Sequence, residues 1–264
     1  MVEVSFDQLQ GWIVAFLWPF ARITAFMAVS PLWGHSSVPN QAKVGLAALV
    51  TVVVAPLLPP LPDVPVVSWA GIGILIEQIV VGLAIGFVMH LVYAAVQAAG
   101  EFIGLQMGLG FASFFDAASG TNIMVLSRIL YMITLLMFLA FNGHLMVLEV
   151  LVMSFQTLPI GLGGFNPNAF EMIARYAGTI FASGMLLALP VVGALLIINL
   201  GLGILNRSAP QLTVFNIGFP TSLTVGLVLM MVLMTDLGRF LQSLFSQGVN
   251  FMQGLIELMA PLGG

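Results

Sequence analysis

WAGIGILIEQIVVGLAIGFVMHLVYAAVQAA, residues 69–99, holds one charged side chain, Glu77, in 31 residues. A helix needs about 20 apolar residues to cross a hydrocarbon core about 30 Å thick, because each residue rises about 1.5 Å. This stretch exceeds that length. It carries no run of turn residues and no strand-like alternation. It reads as a buried or lipid-facing helix, and its composition extends to the whole chain. Of 264 residues, 60% are hydrophobic and 6% charged, with a mean hydropathy of +1.14. A soluble domain carries roughly 25% charged residues. Six basic and ten acidic side chains cannot cover a water-exposed surface of this size, so lipid or apolar protein must cover the rest.

The segments on either side repeat the pattern. Leu9 to Trp33 forms a first helix, with Ser5 and Gln8 as a capping box, Arg22 in its middle, and Pro19 and Pro31 bending or ending it. Val44 to Leu58 forms a second, stopped by the proline run from Pro56 to Pro65. Beyond Ala99 comes GEFIGLQMGLGFASFFDAASGTN, residues 100–122, apolar yet broken by Gly100, Gly104, Gly108, Gly110 and Gly120. It reads as an irregular packed loop, which at membrane depth survives only inside protein or along a cavity. Ile123 to Phe155 reads as a fourth helix, followed by a break from Pro159 to Pro167. Asn168 and Glu171 open the next, with Glu171–Arg175 as an i,i+4 pair. A fifth apolar helix, Tyr176 to Leu205, contains Pro190. A sixth, Ile217 to Met234, is closed by an Asp236–Arg239 pair. A separate amphipathic segment runs from Phe240 to Met259, with Gln242, Ser243, Ser246, Gln247, Asn250 and Gln253 on its polar side. The fold class expected is all-α, of integral membrane type, with broken helices and a Gly-rich internal loop. The chain, residues 1–264, reads as a single unit.

Several chemistries are excluded. There is no cysteine, hence no disulfide, thiolate catalysis or Cys-ligated zinc. His35, His90 and His144 show no ligand spacing, and Gly104 to Gly110 lacks the Lys and Ser/Thr of a phosphate loop. No basic run suits nucleic acid, no cofactor motif is present, and no catalytic constellation marks an enzyme. The apolar amino-terminal segment lacks the positive lead of a secretory signal and is expected to be retained. Arg22, Glu77, Glu101 and Glu149 lie in or near apolar runs, where a charge is costly and needs a partner from a neighbouring helix or subunit. Phe111, Phe114 and Phe115, flanked by Met107 and Met124, admit two readings. They are ordinary core packing, or a hydrophobic stopper of rings and soft methionines that closes a pore.

The sequence resembles the FliR family of flagellar export-gate proteins and its virulence counterpart, SctT. The strongest stretch is LNRSAPQLTVFNIGFP, residues 205–220, with Arg-x-x-Pro-Gln-Leu followed by Phe-x-x-Gly-Phe-Pro. Gly104-Leu-Gln-Met-Gly-Leu-Gly110 followed by Asp116, Phe141-Asn-Gly-His144, Ser154-Phe155 with Pro159, and Arg22 followed by Pro31 and Pro56 match in order. The Gly-Phe-Pro form favours the flagellar branch. The resemblance implies one piece of a helical hetero-oligomeric ring, built with FliP-like and FliQ-like subunits and an FlhB-like switch subunit. Unfolded flagellar proteins pass through that ring, driven by the proton motive force and by an ATPase elsewhere. It implies a place in the bacterial inner membrane at the flagellar basal body, contact with membrane lipid, and parts raised toward the periplasm. It implies that the loop of residues 100–122 helps plug the conduit, with Met107, Gly108, Gly110, Phe111, Phe114 and Phe115 as plug or gate residues. Gly108 and Gly110 would let that loop move. Structural or subunit-packing roles fall to Arg22, Glu101, Asp116, Asn206, Arg207, Pro210 and Gln211. A secondary transporter for a small solute is the other reading of broken apolar helices, although no inverted repeat pairs them.

Overall fold

Helix α1 (Phe6–Val29) runs through Pro19 and stops just short of Pro31. The computed structural model describes residues 6–110, 125–208 and 217–260. Helix α2 is Asn40–Val54, and Pro56 then tightens the chain into a 3₁₀ turn, Ala55–Leu57. The prolines that follow leave residues 58–65 without regular structure. Ser68 restarts the helix: its hydroxyl donates to the Pro65 carbonyl (2.6 Å) and accepts from the Gly71 N–H (3.0 Å), capping α3, Trp69–Gln106. Next come α4 (Val125–Ala140), α5 (Gly143–Thr157), α6 (Asn168–Ala177), α7 (Thr179–Ser208) and α8 (Phe219–Met259). Every regular element among the described residues is helical, so the chain is an all-α protein.

Five helical stretches are long and apolar enough to cross a membrane: Gln10–Val29, Asn40–Leu57, Trp69–Gln106, Asn168–Ser208 and Phe219–Met259. Helices α4 and α5 reach that length only together, as a pair bent by 70°. The protein is therefore a membrane protein of helical type.

Four expectations from sequence are corrected. The helix expected to end near Ala99 continues to Gln106, so residues 100–106 are not an irregular loop. Gly100 lies within the helix and faces the backbone of Ser127, where a side chain would collide. The single helix expected from Ile123 to Phe155 is broken at Asn142, which adopts the left-handed conformation (φ 56°, ψ 23°). Asparagine tolerates that region because its short amide bonds locally. Helix α6 does start at Asn168, but its cap comes from Asn166, whose Oδ1 accepts the Asn168 N–H at 3.1 Å across Pro167. The Glu171–Arg175 pair does form, at 2.7 Å.

The fourth correction concerns the carboxy-terminal helices, which are one: α8 passes straight through residues 234–240. Asp236 and Arg239 are both exposed, and no ion pair joins them among the described residues. Leu237, Leu241, Leu244, Phe245, Val249, Met252, Leu255, Ile256 and Met259 are buried at helical spacing, while all six polar residues from Gln242 to Gln253 are exposed. The amphipathic reading of that segment holds, but its polar face does not end the helix. The Ser5 cap lies outside the described residues.

The chain groups into two compact units. The first is Met1–Leu91, Asn142–Tyr176 and Ser246–Gly264; the second is Val92–Phe141 and Ala177–Phe245. Helices α3 and α8 contribute to both. In the first unit, Gly82 and Gly86 of α3 lie against α1, facing the carbonyls of Arg22 and Phe26. Two small residues four apart let the two backbones approach closely, the usual device for helices that share no water to expel. In the second unit, Gly184 of α7 faces the Ala95 carbonyl of α3. There Tyr93, Phe138 and Phe245 form an aromatic core with centroids 5.1 to 6.1 Å apart.

Candidate functional site

Two clusters of polar or backbone-strained residues stand out, one in each unit. The first centres on Arg22, which is 1% exposed in the middle of α1. Its Nε donates to Gln78 Oε1 of α3 at 2.8 Å, its Nη1 to Ser154 Oγ of α5 at 3.0 Å, and its Nη2 to the Leu158 carbonyl at 2.9 Å. The guanidinium carbon sits 4.1 Å from the Phe155 ring centroid, in cation–π range. Among the described residues no carboxylate pairs with it. The planar fork reaches three acceptors at once, one on α3 and two on α5 and its C-cap, with donors spread over three nitrogens where a lysine has only one. Ser154 in turn donates to the Leu151 carbonyl at 2.6 Å, so its hydroxyl is fully used.

The sequence marked Arg22 as a charge in need of a partner, and the partners are neutral and within the chain. It singled out Glu77, whereas its neighbour Gln78 faces the arginine. One residue along a helix rotates by about 100°, and the half-exposed Glu77 instead accepts the Gly164 N–H at 3.2 Å. Gln78 and the Leu158 carbonyl were not identified from sequence, and Ser154 and Phe155 were picked out as a motif but not as partners of the arginine. The signal available was the demand itself: a guanidinium in an apolar helix needs acceptors, and Gln78 lies in the next long apolar helix. Glu101 and Glu149 are exposed.

The second cluster lies where α3 ends. Met107 is 1% exposed and closes the helix, its N–H donating to the Ile103 carbonyl at 2.9 Å. Gly108 follows with φ +84°, a conformation that side chains disfavour. The Gly108 N–H donates to the Leu105 carbonyl at 3.0 Å and the Leu109 N–H to the Gly104 carbonyl at 2.9 Å, so the chain turns sharply with its backbone bonded. An ideal Cβ on Gly108 would fall 2.9 Å from the Phe219 ring. One on Gly226 would fall 2.6 Å from Met107 Cγ and 2.9 Å from its Sδ and Cε. Met107 thus lies in a notch that Gly226 opens in α8, and Phe219 covers Gly108. Two motifs 110 residues apart in sequence, Gly104–Gly110 and Gly218-Phe219-Pro220, are brought together. Nearby, Ser222 donates to Asn199 Oδ1 of α7 at 2.8 Å, a polar clamp within the same unit.

Of the other residues picked out from sequence, Gly110 is half-buried just beyond this turn. Asn206 is half-buried and Arg207 exposed at the end of α7. Phe111, Phe114, Phe115, Asp116, Pro210 and Gln211 lie outside the described residues. No group of three or more His, Asp or Glu is placed to hold a metal ion among the described residues.

Comparison with known proteins follows from this geometry. The family model described as bacterial export proteins, family 1, matches residues 13–248. The chain is 46% identical over 257 residues to the flagellar biosynthetic protein FliR of Escherichia coli (strain K12), covering 97% of this chain and 98% of that protein. It is 44% identical to the FliR of Pectobacterium carotovorum subsp. carotovorum, with 97% of each chain covered. It is 30% identical to that of Bacillus subtilis (strain 168), over 93% of this chain and 95% of the other.

Proposed function

This chain belongs to the bacterial export proteins, family 1, the family of FliR, and we propose that it is a core component of the flagellar type III protein export gate. The observation that carries this reading is the 46% identity, sustained across nearly the full length of both chains, to a protein of flagellar biosynthesis. In this reading the whole chain acts as one gate unit in the inner membrane at the flagellar basal body, with parts raised toward the periplasm. It joins FliP-like, FliQ-like and FlhB-like subunits to line the conduit for unfolded flagellar proteins. The abundance of apolar side chains exposed on α7 and α8, among them Phe181, Leu186, Ile197, Leu200, Leu227 and Met231, supports a chain covered by lipid and by such neighbours. The family is one of export proteins, so the small-solute transporter is set aside.

In this reading the segment of residues 100–122 helps close the conduit, with Phe111, Phe114 and Phe115 supplying the apolar seal. Bulky apolar side chains exclude ions because water leaves so narrow and greasy a constriction. The sharp turn at Gly108, which ends α3 just before those phenylalanines in sequence, supports this. Replacing all three phenylalanines by alanine is expected to raise ion conductance across membranes holding the assembled gate, while the chain still copurifies with its partner subunits. Unchanged conductance in an intact assembly refutes the closing role. Purification of the wild-type chain as a stable lone monomer, with no membrane partner, refutes the gate reading itself.

A further inference from the structure

We infer that the polar stripe on the carboxy-terminal half of α8, carried by Gln242, Ser246, Asn250 and Gln253, is an uncharged lining of the water-filled path along which unfolded polypeptide crosses the gate. This deepens the export-gate reading and rests on it. The outward face of α8 changes character along its length. Up to Val232 its exposed positions are mainly apolar, with Leu227, Val228 and Met231 among them. From Thr235 to Glu257, about 33 Å of helix, every exposed residue is polar. Gln242, Ser246, Asn250 and Gln253 follow one another at steps of four, four and three residues, so they share one side of the helix.

Three other surroundings are available to such a face, and each fits badly. Hydrocarbon would strip amides and hydroxyls of their water, and polar groups at membrane depth turn toward protein or a wet cavity. The centre of a subunit interface is rich in aromatic side chains and methionine and poor in serine, and no large apolar side chain is exposed beyond Val232 to anchor one. A helix facing bulk water ordinarily carries charges, yet residues 240–256 hold no Asp, Glu, Lys or Arg. Asp236, Arg239 and Glu257, all exposed, show that the same helix accepts charge on either side of the stripe. A narrow aqueous path satisfies all these observations. An unfolded chain in transit presents both signs of charge and a bare backbone. A fixed charge in a narrow lining would hold one sign and repel the other, whereas passage demands contacts weak enough to leave. Amides and hydroxyls donate and accept, so they keep the path wet and exchange brief hydrogen bonds with any passing backbone. The ligand is therefore extended polypeptide, taken without regard to its sequence or charge.

The chain has no cysteine, so a single introduced thiol reports its own position. In membranes holding the gate assembled with its partner subunits, a flagellar cargo protein carrying one cysteine is arrested by a tightly folded domain fused to its trailing end. Ser246→Cys, Asn250→Cys and Gln253→Cys, tested one at a time, are expected to form a disulfide with the arrested cargo on mild oxidation. Their yield is expected to be roughly tenfold or more above that of Leu227→Cys, on the apolar part of the same helix, because confinement in one path raises the effective thiol concentration. Ser246→Glu with Asn250→Glu is expected to slow export of a cargo rich in basic residues by roughly fivefold or more, while Ser246→Gln with Asn250→Gln exports as wild type. Linkage no greater than at Leu227→Cys, while a cysteine on a partner subunit captures the cargo, overturns the inference and leaves the gate reading standing. So does equal export by the glutamate and glutamine variants. If no cysteine anywhere in the assembled gate captures the cargo, the export reading falls and the lining falls with it.

Discussion

Replacing Arg22 tests whether the interior of the first unit is held by hydrogen-bond geometry or by charge. The side chain makes three hydrogen bonds of 2.8 to 3.0 Å, one to α3 and two to α5 and its C-cap, and lies over Phe155. Between helices in a membrane, such bonds are worth about 0.6 kcal/mol on average and up to about 1.7. Three of them amount to roughly 2 to 5 kcal/mol, and the aromatic contact adds about 1. Arg22→Met removes the fork and the charge together, leaving Gln78 Oε1 and the Leu158 carbonyl without their donor. Methionine also avoids the cost of burying the charge, which offsets part of that sum, so a net loss of about 2 to 3 kcal/mol is expected. Arg22→Lys keeps a cation and three donors, but all on one nitrogen that cannot reach acceptors spread around the fork, so a buried charge is left short of partners. Its loss is expected to be larger, about 3 to 5 kcal/mol. The expected order of stability is therefore wild type, then Met, then Lys. The assay is unfolding of the detergent-solubilised chain by titrated sodium dodecyl sulfate, read by far-ultraviolet circular dichroism. A cycle with Gln78→Leu isolates the Arg22–Gln78 coupling, expected at about 0.5 to 3 kcal/mol. A lysine variant as stable as wild type, or more stable than the methionine variant, refutes the fork argument.

The close approach of α1 and α3 predicts a contrast between two glycines. Gly82→Ala drives a methyl group into the Arg22 carbonyl and is expected to cost about 1 to 3 kcal/mol, whereas Gly45→Ala in α2 meets nothing within 4 Å and is expected to gain about 0.5 to 1 kcal/mol. The same titration measures both. In the second unit, the Tyr93 hydroxyl is buried with no hydrogen-bond partner among the described residues, while its ring packs on Phe138 and Phe245. Tyr93→Phe is expected to be neutral or to stabilise by about 1 kcal/mol, because it deletes an unsatisfied hydroxyl and keeps the ring. A clear destabilisation there refutes the packing account of that core.

The long apolar segments were legible in the sequence because hydrophobicity over 20 or more residues is a one-dimensional property. So were the proline stops after α2 and before α6, where the missing N–H acts locally. Two of the errors share a cause, packing against residues elsewhere in the chain. Gly100 looks like a breaker until Ser127 lies against it, and then it is a contact point inside a helix. Asp236 and Arg239 look like a terminus until the buried residues on either side continue one stripe. The break at Asn142 left only an Asn-Gly pair in an otherwise helical run, and that was read as a motif, not as a bend. Among the functional candidates, the sequence isolated Arg22, Met107 and Gly108 but not Gln78 or Gly226. Demand for a partner is visible in one dimension, while its supplier is not.

The lengths of α3 and α8, 38 and 41 residues, bear on how the cell must make this protein. Their contours are about 57 and 61 Å, roughly twice the hydrocarbon thickness of a bilayer. In α3 large apolar side chains are exposed from Trp69 to Leu105, and water would not tolerate them bare, whereas in α8 none is exposed beyond Val232. A surplus copy with no companion to dress it would be a target for membrane proteolysis. In the export-gate reading, synthesis in step with its companions then becomes a physical requirement of the helix lengths as much as a matter of gene control.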